Sequence, residues 1–210
     1  MTVPHPIPPS RIGQLPLDKH GRPIPWFVHI EAGVPDFRVI RRDGIVDAYQ
    51  FGWCWICGTP RGRHAAFVIG PMCAVNRVSA EPPSHLDCAI YAAQACPFLA
   101  NPNMVRRERG LVEMGRVEPP GVMIMRNPGV ALVWSSKTWA PFKAPDGGAL
   151  FGIGDPTATR WYAHGRAATR DEVLASIDAG LPTLREAADA EGVGAQLDDE
   201  LARALELVPR

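Results

Sequence analysis

Two short stretches constrain this chain more than any other feature. Cys54-Trp-Ile-Cys57 and His85-Leu-Asp-Cys88 each carry two metal-binding side chains three positions apart, and 27 residues separate Cys57 from His85. A structural zinc site takes four ligands, usually delivered as two close pairs from separate segments. A fold that uses both pairs must bring residue 54 beside residue 88. Gly58 follows the first pair and permits the tight turn of a knuckle. The second pair falls on the first turn of an expected helix from about His85 to Ala95. Residues three apart share a helix face, and a helix N-terminus favours a thiolate. Pro82 and Pro83 halt the chain before this helix, Ser84 is the expected N-cap with Asp87 in the capping-box position, and Pro97 ends it.

Three further features bear on that site. The chain has five cysteines, an odd number that argues against a closed set of disulfides. A CxxC in a cytosolic chain is more often metal-binding or redox-active, and cytoplasmic location is the expectation here. The first 25 residues lack a charged start followed by an apolar run, and no apolar run approaches the ~20 residues of a membrane span. The remaining two cysteines leave the ligand set open. Cys73 is a possible substitute for His85, and Cys54, Cys57, Cys73 and Cys88 would be an all-thiolate set suited to zinc or an iron–sulfur cluster. The simplest reading of Cys73 and Cys96 is as small buried hydrophobes.

Organisation follows from prolines, glycines and apolar periodicity. Residues 1–25 contain seven prolines and read as a proline-rich extended arm that cannot form a helix. Residues 26–110 form the expected zinc-binding region. It opens with a hairpin, WFVHI and FRVIR around a Gly-Val-Pro turn, and continues with a strand at HAAFVIG and its return at PMCAVNRV. Residues 111–168 read as an antiparallel meander of four strands: GVMIM (121–125), GVALVWSS (129–136), ALFGIG (149–154) and ATRWYAHG (158–165). Residues 169–210 read as helical. Thr169 and Glu172 make a capping box, Val173, Leu174, Ile177 and Leu181 share a stripe, Gly180 stops the first helix and Pro182 starts the next. A last helix carries Leu197, Leu201, Leu205 and Val208.

Knuckle, hairpin, then a helix whose first turn supplies two ligands: over 54–96, roughly a fifth of the chain, this order resembles the treble-clef zinc finger. The fuller stretch from CWICG to ACPFL also resembles uncharacterised hypothetical proteins of bacteria and their phages, which imply no activity. The expected fold class is α+β, a treble-clef-like zinc unit packed with an antiparallel meander and C-terminal helices. Zn2+ is the expected cofactor, held by Cys54, Cys57, His85 and Cys88. Four protein ligands leave no open position, so such a site stabilises rather than catalyses.

Three enzyme patterns compete with that reading. His29-Ile30-Glu31 upstream of Cys54 and Cys57 is similar to the H-x-E and P-C-x-x-C of zinc deaminases, but Trp53 replaces the proline. His64, Asn76 and His85 fall in the order of an HNH nuclease, but Arg63 stands where an acidic residue is usual. Cys73 with His64 or His85 would be a nucleophile and base. No phosphate-binding glycine loop or GxSxG is present, and no small-molecule cofactor is evident. The net charge of zero hides an asymmetry. Residues 38–110 hold nine Lys/Arg against five Asp/Glu, a balance of +4, whereas 170–210 hold four against ten, or −6. The basic set Arg61, Arg63, Arg77, Arg106, Arg107 and Arg109, with Trp53 or Trp55 as stacking groups, is a candidate nucleic-acid surface. The C-terminal helices are a candidate protein-docking face. The expected partner is therefore a nucleic acid or a protein, with no membrane.

Overall fold

The computed structural model describes residues 6–101, 104–105, 127–144 and 147–210. It is a mixed α and β chain with antiparallel sheets. In chain order the elements are α1 (Ser10–Gly13), β1 (Val28–Glu31), β2 (Val34–Ile40), α2 (Gly44–Gln50), β3 (Ala65–Ile69), α3 (Pro71–Asn76) and β4 (Val78–Ser79). Then follow α4 (Leu86–Ala95), α5 (Pro97–Ala100), β5 (Ala131–Ser136), β6 (Trp139–Lys143), β7 (Ala149–Ile153), β8 (Pro156–Ala163), β9 (Arg166–Ala167), α6 (Arg170–Ala190) and α7 (Gly194–Leu205). The strand expected at 121–125 and the basic cluster Arg106, Arg107 and Arg109 lie outside the described residues.

The central sheet has the order β3-β5-β8-β9, all antiparallel. Its strands are covered on both faces, and the period-two alternation of side chains divides them cleanly. Phe67, Ile69, Leu132, Trp134, Trp161 and Ala163 enter the main core, which α3, α6 and α7 complete. Ala66, Val133 and Tyr162 face the other way, where Ala89 and Ala93 of α4 pack on them. Small alanines on both sides let α4 lie close to the strands. Burying a side chain such as Phe67 or Leu132 contributes about 1.5–3 kcal/mol each. The two tryptophans of the central sheet also satisfy their polar edges. Trp134 Nε1 donates to Gly154 O at 3.0 Å, and Trp161 Nε1 donates to Leu207 O at 2.9 Å.

Several local expectations are corrected. The β1–β2 hairpin forms, but its tip is Ala32-Gly33, both with positive φ as a two-residue turn of this hand needs. PMCAVN is a helix, not a return strand. Pro71 sits at the first helical position, where its missing N–H costs nothing, and Met72, Ala74 and Val75 are buried. The short return is β4, which pairs with β7. The meander does not form either. The unforeseen strand β6 pairs with β7, and this draws β7 into a second sheet, β4-β7-β6, while β8 pairs directly with β5. Residues 6–25 of the arm contain one helical turn, α1, which Pro9 precedes rather than interrupts, and an isolated Leu17–Pro23 bridge. Gly180 and Pro182 do not end α6. Pro182 is exposed, so the backbone bond it removes faces water, and Val173, Ile177 and Ala188 hold the helix to the core on both sides. Gly180 instead makes room for Met72, since a Cβ there would lie 2.9 Å from Met72 Cγ.

The capping box at the start of α6 does form. Thr169 Oγ1 accepts from Glu172 N at 3.3 Å, and the Glu172 carboxylate accepts from Thr169 N at 2.8 Å. Arg166 adds two hydrogen bonds to the same carboxylate. Arg166 foremost, then the Thr169 amide, lower the Glu172 pKa from 4.5 to about 2. A lowered folded-state pKa contributes stability above the unfolded value that is lost as pH falls through the folded one. We therefore predict that Glu172→Gln destabilises the chain at pH 7, and that the difference in urea midpoint closes between pH 4.5 and about 2.

Candidate metal centre

The first ligand pair sits in a miniature hairpin closed by the Trp53–Pro60 bridge. Within it Gly58 N donates to Cys54 O and Cys54 N donates to Thr59 O, both at 2.8 Å. Gly58 has φ +71°, and a Cβ on it would lie 2.3 Å from Trp26 Cδ1. Glycine is thus required twice, for the backbone hand and for the close approach of Trp26. The knuckle is tethered on two sides: Trp26 N donates to Ile56 O at 2.7 Å, and Trp55 N donates to Pro83 O at 3.2 Å.

The second pair is positioned by the central sheet. Ser84 forms an antiparallel bridge with Ala66 of β3, and His85, not Ser84, is the N-cap of α4. Ser84 is held as an extended residue by that bridge, which moves the helix start one residue on. Asp87 does not close a capping box; it accepts from the Cys88 amide at 2.9 Å and binds Arg11.

Cys54, Cys57, His85 and Cys88 converge, with every ligand atom within 4.8 Å of every other. His85 Nδ1 lies 3.5 Å from Cys57 Sγ and 3.9 Å from Cys88 Sγ. Its other nitrogen, Nε2, is 3.0 Å from the Pro60 carbonyl. A carbonyl only accepts, so Nε2 carries the proton and the Nδ1 lone pair is left facing the sulfurs. Outer contacts surround the thiols as well. His85 N donates to Cys54 Sγ at 3.3 Å, and the Thr59 hydroxyl lies 3.2 Å from Cys57 Sγ. The three cysteines are 0%, 5% and 0% exposed for Cys54, Cys57 and Cys88. Three sulfurs this close cannot all hold a negative charge by themselves. Hydrogen bonds with Cys54 and then Cys88 push the Cys57 pKa far down; the bond with Cys57 pushes Cys54 up against an opposing one with Cys88, and bonds with Cys54 and Cys57 push Cys88 up. A cation bound among the sulfurs would relieve this crowding by letting all three carry charge.

The other candidate residues are placed elsewhere. Cys73, the alternative fourth ligand, lies on α3 against the main core and does not belong to the four-residue group, so the all-thiolate set is not assembled. Burial pushes its thiol pKa up, and the same holds for Cys96 at the end of α4. His29 and Glu31 remain on β1, outside the metal-binding group, with their side chains 3.9 Å apart. His64 and Arg63 line one shallow cavity with His85, whereas Asn76 lines another and accepts from Val78 N. The histidine–asparagine–histidine trio is therefore not brought together. Arg77 pairs with Asp155 at 2.7 Å, and Arg61 lies 5.2 Å from the Trp139 ring centre while bonding its own loop at Gly62 O and His64 O. Arg63 is exposed. Trp55 is buried and stacked on Phe27 at 4.8 Å; Trp53 is half-buried, edge-on to Trp26.

Pro60 O, Thr59 and Arg11 belong to this centre and were not anticipated. Thr59 is adjacent to the CxxCG run and could have been suspected as a hydroxyl beside a thiolate. A backbone carbonyl and a residue 43 positions before the first ligand leave no trace in spacing. Comparison with known proteins adds no relative: no family model, curated protein or solved structure matches this chain.

Two outcomes follow from this geometry. Gly58→Ala should cost more than about 1 kcal/mol of folding stability by denaturant titration. Gly62→Ala, with nothing within 4 Å of the added Cβ, should stay within about 0.5 kcal/mol. Loading a divalent cation near pH 7 should release on the order of two protons per chain, one each from Cys54 and Cys88, detected in weakly buffered solution. The sign follows: thiols with raised pKa compete harder for protons, so apparent affinity should fall as pH falls.

Proposed function

We propose that this chain is a zinc-binding protein whose metal is structural, and that it acts by binding a macromolecular partner. The observation that carries the reading is the closed donor set of three thiols and one correctly protonated imidazole. A tetrahedral zinc with Zn–S near 2.3 Å and Zn–N near 2.0 Å has S···N edges of about 3.5 Å. The separations of 3.5 and 3.9 Å from His85 Nδ1 suit that centre with little movement. Sulfur-rich, four-coordinate sites with a fixed outer hydrogen-bond layer favour zinc over hard cations. Knuckle and helix-turn delivery of the ligands supports the treble-clef-type reading of the site. The segment between them, strand then helix, departs from the hairpin that type implies.

Metal bound here would join the knuckle, the start of α4 and the arm into one unit, contributing folding free energy to a loop-rich region. A protein partner is favoured over a nucleic acid. Arg61 and Arg77 already serve internal contacts, whereas Ile30, Val34, Phe37 and Phe51 present exposed apolar surface on the hairpin and just after α2. No helix among the described residues is long and apolar enough to cross a membrane.

Elemental analysis and X-ray absorption on protein purified without added metal test the assignment. The expected result is one zinc per chain with three sulfur neighbours and one imidazole. His85→Ala should replace the imidazole by a lighter, weaker scatterer and leave three sulfurs. Iron with inorganic sulfide, or a wild-type zinc carrying a water ligand, would overturn the structural-zinc reading.

A further inference from the structure

The arm reaches the metal centre. Ile12, in the single turn of α1, is 1% exposed and packs in the same apolar cluster as Cys54, Ile56, Cys57 and Cys88, with Leu15 beside it. Next to it, Arg11 makes a two-pronged contact with Asp87, Nη1 lying 2.7 and 2.9 Å from the two carboxylate oxygens. Asp87 occupies the first turn of α4, between the ligands His85 and Cys88, so Arg11 grips the ligand-bearing turn itself.

Resting on the zinc reading above, we propose that this arm is a functional part of the metal centre, a strap that controls how readily the metal leaves. Two effects combine. A dication with three thiolates and a neutral imidazole carries a net charge of 2 − 3 = −1, Asp87 on the same turn adds another −1, and Arg11 supplies a positive charge beside both. Metal exchange also requires water or a competing ligand to reach the sulfurs, and Ile12 covers them. By linkage, an arm that tightens the metal must itself be tightened by the metal to the same degree. Stripping the site would free residues 9–16 while the central sheet, built without the metal, keeps its pairing.

The test uses the full chain loaded with one zinc. Release into excess chromophoric chelator is timed for wild type, Arg11→Ala, Arg11→Lys and Ile12→Ser, and amide hydrogen exchange is followed with and without metal. Arg11 is about a third exposed (38%), so its removal opens no hole in the core. We expect Arg11→Ala and Ile12→Ser to release zinc roughly tenfold faster or more, the range seen when outer contacts of metal sites are removed. Arg11→Lys, which keeps the charge but on a compact, more strongly hydrated head, should fall between. The amides of Ile12, Gly13 and Leu15, which are bonded within the arm, should lose protection on stripping while β5 amides keep theirs. Should Ile12→Ser disturb the fold, loss of β5 protection will reveal it, and the two Arg11 variants then decide. Equal release rates, or arm protection indifferent to metal, would sink the strap while leaving the zinc assignment standing. Wild-type chain that takes up no metal would remove both.

Discussion

Ala66 N donates to Ser84 O at 2.9 Å and Ser84 N donates to Ala66 O at 2.7 Å, and the location of the metal centre depends on these two backbone hydrogen bonds. They fix the residue before the N-cap of α4 to the outer strand of the central sheet. From there the direction of α4 follows, because Ala89 and Ala93 must meet Ala66, Val133 and Tyr162. One turn of helix then puts His85 and Cys88 on the side facing the knuckle. The metal centre is thus an outgrowth of the sheet on the ligand side of α4, and the same helix buries its small residues on the strands. Because the sheet already brings residue 84 back to residue 66, a cation has little loop-closure entropy left to recover between the ligand pairs. Its contribution would come instead from relieving three crowded sulfurs and from fixing the knuckle and arm.

The group Cys54, Cys57, His85 and Cys88 was legible in the sequence because metal-ligand spacing is a short-range signal. A spacing of three in Cys54–Cys57 and His85–Cys88, a glycine after the first and proline before the second are local signals, and each is visible in the fold. The capping box at Thr169 and Glu172 was legible for the same reason. What escaped depends on distant partners. PMCAVN has a strand-like composition, yet it is helical because α6 and α7 offer a surface for Met72 and Val75. The WAPFK strand contains a proline and little alternation, and exists because β7 lies beside it. Pro182 looked like a break, but a helix held by core contacts on both sides of an exposed proline tolerates one missing bond. Pairing order failed most widely: GVALVWSS, ALFGIG and ATRWYAHG are strands, yet neighbours in sequence are not neighbours in the sheet.

The arm shows the same limit from the other direction. Among its described residues, 6–25, there is no long helix and no sheet strand, as its prolines require. Composition alone could not say that it returns to the cysteines, since that depends on one isoleucine filling a gap beside Cys54 and Cys88 and one arginine meeting Asp87. Both anchors are single residues in a segment otherwise designed, by its prolines, to lose little entropy on ordering. A stiff tether needs few contacts to stay docked.

The asymmetry of the four ligands bears on what the centre can do. The cysteines are buried, whereas His85 is half-buried and lines the cavity with Arg63 and His64. For a metal held here to activate water, a coordination position would have to open toward solvent, and the side facing solvent is the one that the imidazole occupies. That ring is held by the Pro60 carbonyl behind it, so displacing it means breaking this contact with the knuckle loop. On the zinc reading proposed above, opening a coordination position at His85 means giving up that contact with the knuckle.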